Sequence, residues 1–72
     1  MAELELDNEQ MRPEIRKWMG KLFDDNVHVD NVKAHVVKLT EKVVAAQLKG
    51  IKVTQSVFNE LCKEVENDFN RQ

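Results

Sequence analysis

The side chains of this 72-residue chain with any capacity for metal or nucleophilic chemistry are His28, His35 and the single cysteine, Cys62. A zinc pair on one helix calls for histidines about four residues apart with further thiol, imidazole or carboxylate ligands nearby. Here the histidines are seven apart and Cys62 has no second cysteine. The expectation is therefore no metal and no cofactor. A Cys with a His is also the minimum for thiolate attack, but only two glycines occur and no glycine-rich loop is present to hold an oxyanion or a phosphate. Glu60, Glu64, Glu66 and Asp68 offer carboxylates at helical spacing, the pattern of a solvated helix face. The sequence thus points to a non-enzymatic protein. Cys62 fits as a small apolar residue, and His35 as a half-buried residue beside an apolar stripe.

The elements that place these residues follow from apolar spacing. Pro13 suits a first helical turn, and Ile15, Trp18, Met19, Leu22 and Phe23 follow on one face. Helices are predicted over 13–23, 31–49 and 55–69, an all-α three-helix domain of residues 12–72 behind a flexible acidic arm, 1–11. Asp24-Asp25-Asn26 ends the first helix, Asp30 is placed to cap the second, and Gly50 to close it. Thr54 starts the third, with Val53 and Phe58 spaced as a hydrophobic staple. Val27-His28-Val29 and Ile51-Lys52-Val53 alternate as short β-formers do, so a minimal β-bridge between the two loops is a further expectation.

On the second helix Val32, Val36, Leu39, Val43 and Ala46 form one stripe; Val37, Val44 and Leu48 form another beside it. Two stripes require two neighbours, the rest of the domain and another chain. A disulfide-free chain this short buries only about 60% of the surface its unfolded form exposes, which makes a partner or self-association an expectation. The candidate protein interface is Trp18, Met19, Leu22, Phe23, Val37, Val44 and Leu48, Trp and Met being favoured anchors. For Trp18 the core of the domain itself is an equal alternative.

Charge is uneven, with 11 basic and 13 acidic residues in all. Residues 1–11 hold four acids and no base, 12–52 hold nine bases and five acids, and 53–72 hold two bases and four acids. A basic middle is the footprint of phosphate contact. The segment from Ala45 to Leu61, with Ala before a turn, Gly50 at it and a polar start to the next helix, resembles a helix-turn-helix. That resemblance implies a small DNA-binding transcription or nucleoid regulator contacting nucleic acid through Arg16, Lys17, Lys21, Lys49, Lys52, Gln55, Ser56 and Asn59. Its turn, Gly50 to Thr54, is longer than that motif's. From Ile15 to Val65 the order of elements is also similar to a histone-type handshake, with a central helix too short for it.

The leading expectation is a protein-protein interaction module or small regulatory subunit, self-associating as a homodimer through apolar helix faces, with DNA binding as the alternative. The acidic start reads as neither a secretory signal nor a transit peptide, no apolar run is long enough to span a membrane, and a lone cysteine suits a reducing compartment. These place the chain in the cytoplasm or nucleus.

Overall fold

In a computed structural model describing residues 4–70, the chain is an all-α three-helix domain. The helices are α1 (Asn8–Asp24), α2 (Val29–Leu48) and α3 (Gln55–Asn70). α1 and α3 both pack on α2, and their backbones lie farther from each other than from α2. The core is one layer between them: Met11, Trp18 and Leu22 from α1, Val32, Leu39, Val43 and Ala46 from α2, Phe58, Cys62 and Val65 from α3, with Val53 of the second loop. Each set recurs at steps of three, four or seven, so each helix presents one side to the others.

α1 begins five residues before the predicted start. Asp7 and Gln10 form a capping box: the Asp7 carboxylate accepts from the Gln10 amide at 2.8 Å, and the Gln10 side chain accepts from the Asp7 amide at 3.0 Å. Two otherwise orphaned donors are thereby satisfied, and Pro13 lies inside the helix instead of opening it. The extra turn carries Met11 into the core. Of the expected acidic arm, residues 1–3 lie outside the described residues.

Both connections are set by left-handed residues after a helix. At the end of α1, Asn26 has φ 66°; its amide donates to Phe23 O and that of Val27 to Leu22 O, both at 3.0 Å. At the end of α2, Gly50 has φ 81°; its amide donates to Gln47 O and that of Ile51 to Ala46 O, again at 3.0 Å. These are two Schellman closures. α2 starts at Val29, capped by His28 and not by Asp30: His28 Nδ1 accepts from the Asp30 amide at 3.2 Å. Asp30 sits in the first turn, where its charge still opposes the positive helix end. Thr54 does start α3, its hydroxyl accepting from the Val57 amide at 3.4 Å, and the staple residues Val53 and Phe58 are both buried.

The expected β-bridge between the two loops does not form. The loops lie at opposite ends of a 20-residue helix, about 30 Å apart at 1.5 Å per residue. Instead, the segment before α1 reaches the second loop: Glu5 bridges Thr54 antiparallel, and the Leu6 amide donates to Val53 O at 2.8 Å.

The two glycines give opposite predictions. A Cβ at either would meet nothing within 4 Å, so only the backbone decides. Gly20→Ala, inside α1, should stabilise by about 0.5 to 1 kcal/mol; Gly50→Ala should destabilise by about 1 kcal/mol, since its φ is left-handed. Thr54→Ala should cost about 1 kcal/mol as a lost cap. Urea unfolding of the three variants checks all of these.

Candidate interaction face

The structure gives each candidate chemical group a local task. His28 is the exposed cap of α2, 3.7 Å from the Asp30 carboxylate. His35 is buried, its ring stacked on Phe69 at 4.0 Å between centroids and tilted against Trp18 at 6.0 Å. Its Nδ1 pairs with the Asn31 carbonyl, which can only accept, so Nδ1 carries the hydrogen. Cys62 is buried on α3, and burial first, then the neighbouring Glu66 carboxylate, pushes its thiol up to about 12. Among the described residues no three His, Cys, Asp or Glu side chains are grouped to hold a metal ion. No helix of the described residues is long and apolar enough to cross a membrane.

The expected interface divides. Trp18 and Leu22 are inside the protomer, which removes them from any partner surface, because α1 turns that side onto α2 and α3. The Trp18 indole nitrogen is buried with no hydrogen-bond partner. Met19 is half-buried against the same core. Phe23 is exposed, but at the end of α1 that adjoins the start of α2, far from the remaining members. Those members form a face: Val37 is 59% exposed, Val44 45% and Leu48 83%, with Ile51 just beyond the helix at 48%. Ile51 was not among the sequence candidates; it follows the left-handed Gly50, and its amide is bonded back to Ala46 O. At 100° per residue Val37, Glu41, Val44 and Leu48 fall within about 60° of one another, on the side of α2 turned away from Val32, Leu39 and Ala46. Beside Val44 lies a groove of about 140 Å³ between α1 and α2, lined by Met11, Ile15, Thr40, Val43, Val44 and Gln47 among others.

The candidate nucleic-acid residues are scattered. Arg16, Lys17, Lys21, Lys49 and Lys52 are all exposed, yet Arg16 lies about 140° around α1 from Lys21. Lys17 pairs with Glu14 at 3.5 Å. Gln55 donates to Glu14 at 3.3 Å and to Asn59 at 3.1 Å, so the start of α3 is tied to an acidic side chain of α1. Ser56 is exposed and also has an interaction partner. Lys17, Lys21 and Asn59 line a groove of about 340 Å³ between α1 and α3, floored by Trp18, Phe58 and Cys62, in which Glu14 and Glu66 set two carboxylates among the lysines. The connection from α2 to α3 takes up residues 49–54, longer than a helix-turn-helix allows.

The raised Cys62 thiol yields a test. With three pH units between 9.0 and about 12, native protein at pH 8 should hold about a thousandfold less thiolate than unfolded chain, and a chromogenic disulfide reagent should label it only at the rate of unfolding. Because the folded state binds this proton more tightly, its stabilising effect is complete below pH 9 and is lost as pH rises toward 12; Cys62→Ala should flatten that decline in urea unfolding. Comparison with protein-family models, with curated proteins and with solved structures finds no match to this chain, which leaves the exposed side of α2 as the feature from which function is read.

Proposed function

We propose that this protein is a non-enzymatic, intracellular interaction module or small regulatory subunit that self-associates through the outer face of α2. One observation carries the reading: Val37, Val44 and Leu48 stand exposed along one side of the helix whose opposite side already holds the core. Apolar side chains left in solvent along one side of a helix mark a candidate contact site, and a chain of this size buries a smaller share of its surface on folding than a larger domain does. The intracellular placement is supported by the buried, unpaired Cys62. DNA binding stands behind this reading, since Gln55 is held by Glu14 and the groove that gathers Lys17 and Lys21 also holds the carboxylates of Glu14 and Glu66.

Light scattering over a concentration series, with duplex DNA added at low and high salt, tests the proposal. The expected mass rises above the 8.4 kDa monomer as concentration increases and ignores DNA. Leu48→Lys should hold the protein at monomer mass, and at concentrations where the parent is also monomeric its unfolding midpoint should be unchanged, because that side chain is almost fully exposed. A parent protein that stays monomeric throughout, or a DNA complex that dissolves steeply with salt, would overturn the proposal.

A further inference from the structure

We draw no further inference here: the strongest candidate, the unpartnered apolar side of α2 at Val37, Val44 and Leu48, rests on exposure alone, since nothing in the structure shows what covers it.

Discussion

Burial of Val32, Leu39, Val43 and Ala46 along one side of α2 is the constraint on which the other elements depend, because the backbones of α1 and α3 come closer to this helix than to each other. Leu39 is fully enclosed, so a truncation there removes packing from both interfaces at once, where large-to-small changes cost about 2 to 5 kcal/mol. The same arrangement explains the contacts at the periphery. Gln55 reaches from α3 to Glu14 of α1, Lys42 of α2 pairs with Asp68 of α3 at 3.5 Å, and the segment before α1 hydrogen-bonds to the loop before α3. Each joins parts that meet only because α2 holds them.

The three helices and their approximate spans were legible because each carries an unambiguous apolar period. The ends were less so, and for local reasons. Pro13 is a strong start signal, but the capping box opened by Asp7, six residues upstream, satisfies two donors and starts the helix earlier, leaving Pro13 as its sixth residue at the loss of one backbone hydrogen bond. Asp30 outranks His28 as a cap by residue type; here the Schellman closure of α1 ends at Val27 and leaves His28 as the last extended residue before α2. The β-bridge was misplaced because alternation identifies segments able to pair, whereas the length of α2 decides which ends meet.

Which of two apolar stripes faces inward was not legible in the same way. The spacing of α1 showed that Trp18, Met19, Leu22 and Phe23 share a side, but whether that side meets α2 or a second protein is a property of the assembled domain. Assembly enclosed Trp18 and Leu22, half-covered Met19 and left Phe23 out. The second stripe of α2 was legible through its period alone, and Val37, Val44 and Leu48 do stand exposed.

The groups with chemical potential are held by this packing in forms that serve the fold. His35 spends its Nδ1 hydrogen on a backbone carbonyl and its ring faces on Phe69 and Trp18, and the Cys62 thiol keeps its proton across the neutral range. Reactivity of either would require opening the core that defines the domain. The outer side of α2 carries no such cost: Val37, Val44 and Leu48 are large apolar side chains already paid for in solvent exposure, and a contact there recovers hydrophobic free energy at about 25 cal/mol per Å² without disturbing a single internal contact. Association through such a side would lower the free energy only if the area it buries outweighs the translational and rotational freedom lost on binding.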